Sequence, residues 1–368
     1  MLTFLSARDF RNLEPLVWQP EAGSHLLLGG NGAGKTSLLE AVYVLATTRS
    51  LRTAHLADCC RHGADGFELE GEAETAARAR LAVAWGAPGR RRAVNGSEGP
   101  LAEHLAALPV VAWTADDGEA LAGPPALRRR LLDRGLLARR PAALAVVARF
   151  RRALAAKRAL LAAGSGDLAP WNVVLAEAAA ELVRLREDYA GGLGRALAAV
   201  AEASGLGLPP LALAYRPSPP EAVEGAAAVA RSLARAEGRE RRLGRPVVGP
   251  QLDDLELSWG GREMRRVASA GERKALSVLL AVAQGRVLEE AGRPPLHLLD
   301  DLDAELSRES LERVWATLAG ARQVFATSAR PGIWEGLPVG RSWLVEAGRL
   351  GPFRRPAGGR RPAPGVRL

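Results

Sequence analysis

The stretch GGNGAGKTS, residues 29–37, decides the fold because it matches the phosphate-loop pattern G-x-x-x-x-G-K-T. The apolar run HLLL precedes it and the helix-forming run SLLEAVYVLAT follows it, which is the strand–loop–helix context of such a loop. Backbone N–H groups around residues 31–35 would then surround the β- and γ-phosphates of a nucleotide. Lys35 would add positive charge, and Thr36 would ligate Mg²⁺. The complete order disfavours the alternative, a glycine-rich turn without a ligand.

A second motif, LHLLDD at residues 296–301, is an apolar strand that ends in two carboxylates. Beside a phosphate loop, this arrangement holds a magnesium-bound water and polarises an attacking water. We therefore predict Asp300 as the carboxylate on the metal side. Asp301 and Lys35 are the predicted catalytic residues: Asp301 would orient the water, its short side chain predicting slow hydrolysis, and Lys35 would contribute its charge. The alternative, an acidic strand end that faces solvent, is the commoner case for such a motif alone.

The stretch ASAGERKAL, residues 268–276, opens a helix with apolar periodicity. Ser269 is the predicted N-cap, and Glu272, three residues later, completes a capping box. Small residues at a helix N-terminus also let an anion approach the backbone closely. A capped core helix without a ligand remains the alternative, because capping alone explains both residues.

The composition indicates a soluble globular chain with an anionic partner. Its 368 residues can bury a full core, and 50 basic against 41 acidic residues give a net charge of +9, which favours nucleic acid. No run approaches the roughly eighteen apolar residues that a membrane helix needs. The N-terminus, MLTFLSARDFRN, lacks the pattern of an export signal. We expect a cytoplasmic protein without a membrane partner.

Lysine is unusually rare in this chain, since only Lys35, Lys157 and Lys274 occur among the 50 basic residues. Lys35 lies in the phosphate loop, where a compact ammonium group fits and a planar guanidinium group does not. Lys274 lies in the stretch 268–276, so its lysine is informative, although chance placement remains open for Lys157 and Lys274.

The pattern of elements predicts two lobes. Residues 1–112 and 269–368 alternate short strands with helices and would form the ATP-binding lobe. Residues 113–268 read as a mainly helical lobe leading into the helix after Ser269, with strand-like runs at 209–216 and 252–259. The last eighteen residues carry five arginines and no acid, which predicts a disordered tail, with a DNA-touching arm as the alternative.

The order of these motifs resembles the ATP-binding-cassette heads of DNA-repair and chromosome-maintenance proteins, and more narrowly the RecF family of recombination mediators. The resembling blocks are ARDFRN (7–12), GGNGAGKTSLLEAVYVLATTRSLR (29–52), RRRLLDRG (128–135), RRALAAKRALL (151–161), GPQLDDLEL (249–257), SAGERKALSVLLAVAQG (269–285) and LLDDLDAEL (298–306). They are spread over nearly the full length. The resemblance implies an α/β fold: an ABC-ATPase head-like P-loop domain with a second, mainly helical lobe inserted.

The resemblance also implies site residues on both protomers of a dimer. In that family the Ser-x-Gly helix of one protomer caps the γ-phosphate of ATP that its partner holds. Here the helix residues expected to read the partner's ATP are Ser269, Gly271, Glu272 and Lys274. Residues expected to bind ATP within the same chain are Arg11, Asn12, Asn31, Gly32, Gly34, Lys35, Thr36 and Ser37. Because a carboxylate near a phosphate is unfavourable, we expect Glu272 to point away or to cap its own helix.

Further candidates follow the acidic strand and the last strand of the sheet. Asp303 and Glu305 would belong to a loop that reaches across the dimer, or to a solvated helix start. Thr327 takes the place of the histidine of transport ATPases, and Asp301 the place of their glutamate. The transport ATPases' glutamine falls at about AWTADD, residues 112–117, and its replacement stays open.

The family's function, carried over by resemblance, is an ATP-driven DNA clamp of recombinational repair. ATP and Mg²⁺ would close a homodimer on double-stranded or gapped DNA, and weak DNA-dependent ATP hydrolysis would open it. The resemblance implies recombinase loading at single-strand gaps, RecR and RecO as partners, and roles in DNA repair, recombination, replication and the SOS response. The candidate DNA contacts are Arg128, Arg129, Arg151, Arg152, Lys157 and Arg158.

Two other classes of function remain open from the residues. A transporter's ATPase subunit would need a membrane partner and would ignore DNA. A nucleotide-binding scaffold would bind ATP without hydrolysing it. Equal turnover by the parent and an Asp301→Asn protein would favour this class or another catalytic base.

Overall fold

The structure is a computed structural model and describes residues 1–75, 78–87 and 89–353. Its strands are β1 (Leu2–Arg8), β2 (Leu16–Trp18), β3 (Gly23–Leu28), β4 (Phe67–Glu74), β5 (Arg78–Gly86), β6 (Gly89–Val94), β7 (Val110–Trp113), β8 (Leu211–Arg216), β9 (Asp254–Trp259), β10 (Arg262–Glu263), β11 (Leu296–Leu299), β12 (Gln323–Ser328), β13 (Arg341–Glu346) and β14 (Arg349–Pro352). Its helices are α1 (Lys35–Thr47), α2 (Leu101–Ala107), α3 (Ala115–Ala122), α4 (Pro125–Arg139), α5 (Ala143–Ala163), α6 (Ala169–Ser204), α7 (Ala226–Leu243), α8 (Met264–Val267), α9 (Ala270–Glu290) and α10 (Arg308–Ala316).

The central sheet has the strand order β14-β13-β3-β12-β11-β7. From β13 to β7 every pair is parallel, and β14 adds antiparallel to β13. β7, β11 and β12 are buried along their whole length, as is typical of parallel strands covered on both faces. Because the carboxyl ends of parallel strands share one edge, the loop after β3 and the acids after β11 meet there.

Helix α1 lies between this sheet and a second, antiparallel sheet of order β2-β1-β4-β5-β6. Its residues from Ser37 to Ala46 are all buried, and its apolar ones belong to one core cluster with residues of both sheets. A helix that is apolar on all sides is stable only when covered on all sides. The helix that begins at the phosphate loop is therefore rigidly embedded.

A mainly helical segment is inserted between β7 and α9. The 36-residue α6 packs against α5, α7 and α9, and a small antiparallel sheet of order β10-β9-β8 lies beside it. The strands predicted within 209–216 and 252–259 are confirmed as β8 and β9. In the described ranges, no helix combines the length and apolarity that crossing a bilayer requires.

The division at residues 112 and 268 stays a prediction, and one core cluster runs from the helical segment into α9 and to Val111 and Trp113 of β7. The predicted tail falls mostly outside the described residues, which end at 353. Its first two residues instead finish strand β14.

Lys157, a predicted DNA contact, lies inside the helical segment, and that prediction is wrong. Its side chain is fully buried, and its Nζ lies 2.6 Å from a carboxylate oxygen of Glu240, which is also fully buried. Glu240 further accepts the backbone N–H of Val247 at 2.8 Å. An ammonium group in this position stabilises the contact of α5 with α7 and cannot reach a solvent-exposed ligand.

Removing this ammonium group should destabilise the fold without a direct effect on ligand binding. Lys157→Met leaves Glu240 buried and unpaired, so we expect a loss of about 3–5 kcal/mol in the free energy of unfolding, measured by urea denaturation. Lys157→Met combined with Glu240→Gln should recover much of that loss. The control is Arg158→Met at the exposed neighbour, which should change stability by less than about 0.5 kcal/mol. Equal effects of the two single variants would contradict the buried pair.

Burial of His297 predicts an acid-sensitive fold. Burial lowers the pKa of His297 to about 4, because the charged ring would lose its hydration inside the sheet. An unfolded histidine titrates near its ordinary pKa of about 6.5. The neutral ring's contribution is therefore complete above pH 6.5 and is lost as the pH falls towards 4, by about 3 kcal/mol for such a shift. Unfolding free energies of the parent and His297→Leu should diverge in pH dependence between pH 7 and 4; parallel curves would refute this.

Candidate nucleotide site

The phosphate loop has a backbone that glycine alone adopts easily. Gly34, the N-cap of α1, has a φ of 111°, and Gly32 has a φ of 74°. A Cβ at Gly34 would also lie 3.3 Å from the Cα of Gly348 and from Leu13 Cδ2. The loop is thus packed against the β13–β14 turn, and the first N–H groups of α1 have no hydrogen-bond partner within the helix.

Asn12 and Arg11 support this loop from the turn after β1. The amide of Asn12 donates to the carbonyl of Gly32 at 2.8 Å and accepts the hydroxyl of Ser37 at 2.7 Å. Arg11 donates twice to the buried Glu40 of α1, at 2.8 and 2.9 Å. Asn12 therefore joins the two ends of the loop, while most of the Arg11 guanidinium is occupied by Glu40. Direct contact of Arg11 and Asn12 with a nucleotide stays a prediction.

A cleft of about 790 Å³ opens beside the loop. Its lining consists of Arg11, Asn12, Asn31, Gly32, Ala33, Gly34, Lys35, Thr36, Ser37, Arg52, Asp58, Cys60, His62, Asp300 and Asp301. Lys35 is almost buried at its base, and its Nζ donates to the carbonyls of Gly29 and Gly30 at 2.9 and 3.0 Å. The phosphate-loop and acidic residues predicted from sequence therefore lie in one cavity, of a size typical for small-ligand sites.

The carboxylate of Asp300 joins three elements at the centre of this cleft. The Thr36 hydroxyl of α1 lies 3.0 Å from both of its oxygens, and the Thr327 hydroxyl of β12 donates to it at 2.8 Å. Burial raises the pKa of Asp300, which the hydrogen bond from Thr327 opposes. The half-buried carboxylate is thus a strong acceptor that attracts a cation or a donor.

The oxygens of Thr36 and Asp300 fit Mg²⁺. This ion prefers hard oxygen ligands and is usually held by one or two carboxylates together with waters and substrate phosphates. Among the residues that the structure describes, no group of three His, Cys, Asp or Glu side chains could hold a metal alone. A magnesium ion here would therefore share its coordination with phosphate oxygens.

The Asp301 backbone is held in an unusual conformation. Its φ is 45°, and its N–H donates to the hydroxyl of Thr327 at 2.7 Å. The same threonine thus fixes both acids, by its hydrogen to the Asp300 carboxylate and by its lone pair to the Asp301 amide. A left-handed conformation is uncommon for aspartate, so this turn depends on its surroundings.

The helix start at Ser269 has the predicted capping box. The Ser269 hydroxyl accepts the Glu272 N–H at 3.3 Å, and the Glu272 carboxylate accepts the Ser269 N–H at 2.8 Å. This backbone hydrogen bond lowers the pKa of Glu272, so the expectation that it caps its own helix is confirmed. Ser269 is exposed and does not line the cleft of its own chain.

Comparison with known proteins identifies the family. A model of the RecF/RecN/SMC N-terminal domain matches residues 1–337. The DNA replication and repair protein RecF of Anaeromyxobacter sp. (strain Fw109-5) is 37% identical over 96% of this chain and 99% of its own length. RecF of Acidothermus cellulolyticus is 34% identical over 95% and 98%. The chain belongs to the RecF family.

Solved structures confirm the predicted fold class. The recombination mediator protein RecF solved with ATP, described within the RecFOR pathway, superposes with a TM-score of 0.86 at 22% identity, over 96% of this chain and 97% of that one. An Smc head bound to the C-terminal winged-helix domain of ScpA gives a TM-score of 0.57 at 14% identity, over 95% of both chains. The fold is the α/β head of ABC-type ATPases.

Lys274 does not lie where the resemblance to the RecF family places it. Its residue is only 8% exposed, and its ammonium lies 5.2 Å from the centre of the Trp113 ring and 3.4 Å from the Asp301 carbonyl oxygen. The ammonium is therefore turned into its own chain, towards its own acidic loop. The prediction that Lys274 contacts the partner's phosphate is wrong for this geometry.

The loop after Asp301 is also turned inward at Asp303. The residue is 2% exposed, and its carboxylate accepts a hydrogen bond from Arg330 Nε at 3.0 Å, so it is not a solvated helix start. Glu305 is exposed, with a φ of 62°. A contact of this loop across a RecF-type dimer stays a prediction.

The predicted DNA contacts separate into internal and exposed groups. Arg128 is buried and makes two 2.8 Å hydrogen bonds to Asp254, so its prediction is wrong. Arg129 is half-buried and donates to the Asp253 carbonyl at 2.6 Å. Of the six predicted DNA contacts, three are exposed and can meet a partner: Arg151, Arg152 and Arg158. The motif RRRLLDRG is thus mainly a structural block of this lobe.

Sequence reasoning missed residues that support the site rather than line it. Glu40 and Arg330 pair with Arg11 and Asp303, and a partner so distant in sequence gives no local signal. The transport ATPases' glutamine has no replacement at 112–117 that lines the described cleft. Asp117 instead pairs with Arg134 at 2.7 Å.

Replacing Thr327 by the nearly isosteric valine tests this support. Thr327→Val removes both hydrogen bonds to the acidic turn and leaves the half-buried Asp300 carboxylate less satisfied, so we expect the free energy of unfolding in urea denaturation to fall by about 1–3 kcal/mol. The control is Thr3→Val, whose hydroxyl donates to the Glu72 carbonyl at 3.2 Å in a partly exposed strand. That change should cost less than half as much; equal losses would contradict a special role of Thr327.

Proposed function

We propose that this chain is an ATP-driven DNA clamp of recombinational repair, in which two protomers close on ATP. The observation that carries the proposal is that one protomer has two parts of an ATP site in different places. One cleft combines the phosphate loop with Thr36, Asp300 and Asp301. The exposed, capped helix start at Ser269 lies outside that cleft and thus has room to meet a second protomer's nucleotide.

Within one protomer, the residues divide the work of nucleotide binding. The N–H groups of residues 31–36 would bind phosphate oxygens at the positive end of α1, and Lys35 would add a charge at their base. Thr36 and Asp300 would hold Mg²⁺, which neutralises phosphate charge during transfer. Asp301 would orient the attacking water, while Thr327 keeps both acids in place.

Across the dimer, Ser269, Ala270 and Gly271 would approach the partner's γ-phosphate. The N-terminus of the 21-residue α9 carries a partial positive charge, and its small residues allow close contact with backbone N–H groups. Glu272 occupies the Ser269 N–H and faces its own helix. With Lys274 turned inward, the helix terminus itself is the anion-binding group in this proposal.

DNA would bind through phosphates, without sequence preference. The net charge of +9 and the exposed Arg151, Arg152 and Arg158 support an anionic partner. RecF relatives are named as DNA replication and repair proteins, and a solved RecF is placed in the RecFOR pathway. We extend to this chain double-stranded and gapped DNA, RecR and RecO as partners, and a weak DNA-dependent ATPase activity.

Sedimentation of the parent and Ser269→Arg proteins tests the clamp. The large side chain would block the approach of a phosphate to the helix start. We expect ATP with duplex DNA to convert the parent to dimers and to leave Ser269→Arg monomeric, an affinity loss of at least about tenfold, or 1.4 kcal/mol.

Asp167→Arg is the matched control for that experiment. Asp167 also accepts a hydrogen bond at a helix start, from the Ala169 N–H at 2.8 Å, but it precedes α6 rather than α9. This variant should dimerise like the parent. Monomers of the parent with ATP and DNA present would refute the clamp, and ATP-dependent dimers of Ser269→Arg would reduce Ser269 to a helix cap.

A further inference from the structure

Lys274 connects the helix that begins at Ser269 to the acidic turn of the same chain. It lies in the second turn of α9, and burial is the main cause that lowers its pKa, opposed by the nearby Glu305, Asp303 and Asp301. Its ammonium approaches the Asp301 carbonyl oxygen at 3.4 Å. Burying a cation is costly unless favourable contacts compensate for its lost hydration, and here the contacts are this carbonyl and the Trp113 ring, 5.2 Å away.

Trp113 fixes the other side of the same contact. Its indole N–H donates to Ser277 Oγ at 2.8 Å, and Ser277 donates in turn to the Lys274 carbonyl at 2.7 Å. The Trp113 carbonyl accepts the Asp300 N–H at 3.0 Å. One buried tryptophan therefore contacts the second turn of α9, the lysine ammonium and the backbone that carries the metal-side carboxylate.

The backbone that Lys274 contacts has an uncommon, left-handed conformation. Asp301 has a φ of 45°, so the peptide between Asp300 and Leu302 depends on the groups that bind it. Thr327 holds this turn by its N–H side, and Lys274 holds it by its carbonyl side. Both acids of the turn line the nucleotide cleft.

We propose that Lys274 is a positioning residue that ties α9 to the Asp300–Asp301 turn of its own protomer. Ser269 of the same helix would contact the partner's nucleotide. A displacement of α9 on dimer closure would therefore also move the acids of the protomer's own site. This inference rests on the proposed ATP-driven dimer and assigns Lys274 to the site in cis rather than in trans.

Lys274→Met separates positioning from binding. Methionine keeps the apolar stem over Trp113 but loses the charge that holds the carbonyl. We expect kcat for ATP to fall by about 10–100-fold, because small displacements of a catalytic group cost this much, while KM changes less than about twofold. Lys274→Arg retains a cation and should recover part of kcat. Arg286→Met, later in the same helix, should keep the parent kcat.

Mixing inactive variants distinguishes action in cis from action in trans. Lys274→Met and Ser269→Ala proteins are first mixed in equal amounts. One site of the mixed dimer then has the phosphate loop, Lys274 and Asp301 of the Ser269→Ala protein. The same site has the intact Ser269 of the Lys274→Met protein. Action in cis predicts that turnover reappears in this mixture. With Lys274→Met and Lys35→Ala, action in cis predicts no recovery, because the intact phosphate loop lacks its own Lys274.

The outcomes of these mixtures are decisive for Lys274. Recovery with Lys35→Ala, or no recovery with Ser269→Ala, would overturn the inference. If Lys274→Met unfolds, as judged by thermal denaturation, the same mixtures are made with Trp113→Phe, which weakens the ring contact and removes the bond to Ser277. A parent that neither dimerises nor hydrolyses ATP would instead refute the proposed function, and that measurement precedes the mixtures.

Discussion

The site depends on the hydrogen bonds to the half-buried carboxylate of Asp300. The carboxylate accepts hydrogen bonds from hydroxyls of α1 and β12, and the Asp300 N–H donates to the last residue of β7. With β11, which Asp300 follows, four elements meet at one residue. A parallel sheet places its loops at one edge but does not fix their separation. The shared carboxylate fixes it, and burial makes each of these hydrogen bonds stronger than it would be in water. Any cation bound there inherits that geometry.

The many arginines of this chain serve the fold as well as a partner. Arg186 is buried and bridges Asp133 and Asp253 at 2.9 and 2.7 Å, and Arg128 forms a two-bond pair with Asp254. Each would leave an uncompensated carboxylate if removed, so these pairs specify how α4, α6 and β9 meet. The number of arginines is thus a guide to the surface only after such internal pairs are set aside, whereas the net charge is not changed by removing neutral pairs.

The sequence predicted what is local or ordered along the chain. The phosphate loop, the capping box of Ser269 and the strand before Asp300 each have a pattern within a few residues, and their order gave the fold class. The pairing of Lys157 with Glu240 and of Arg128 with Asp254 spans 83 and 126 residues. Nothing in the local sequence therefore distinguishes these two side chains from DNA contacts. Helical periodicity gives the face of a residue relative to its neighbours, but not whether that face meets solvent or another helix. The residues that line the cleft are therefore predictable from sequence, and the residues that hold them in position are not.

Lys274 illustrates why a charge near a motif is ambiguous. A lysine one turn after an anion-binding helix start can extend towards the helix N-terminus and the ligand, or sideways into the core. The direction is decided by Trp113, which offers an aromatic face, and by Asp301, which offers a carbonyl in a turn that needs support. Two favourable contacts offset part of the desolvation cost, whereas a partner's phosphate exists only in the closed dimer. Lys274 is thus turned inward in the free protomer, and α9 is connected to the acidic turn before a dimer forms.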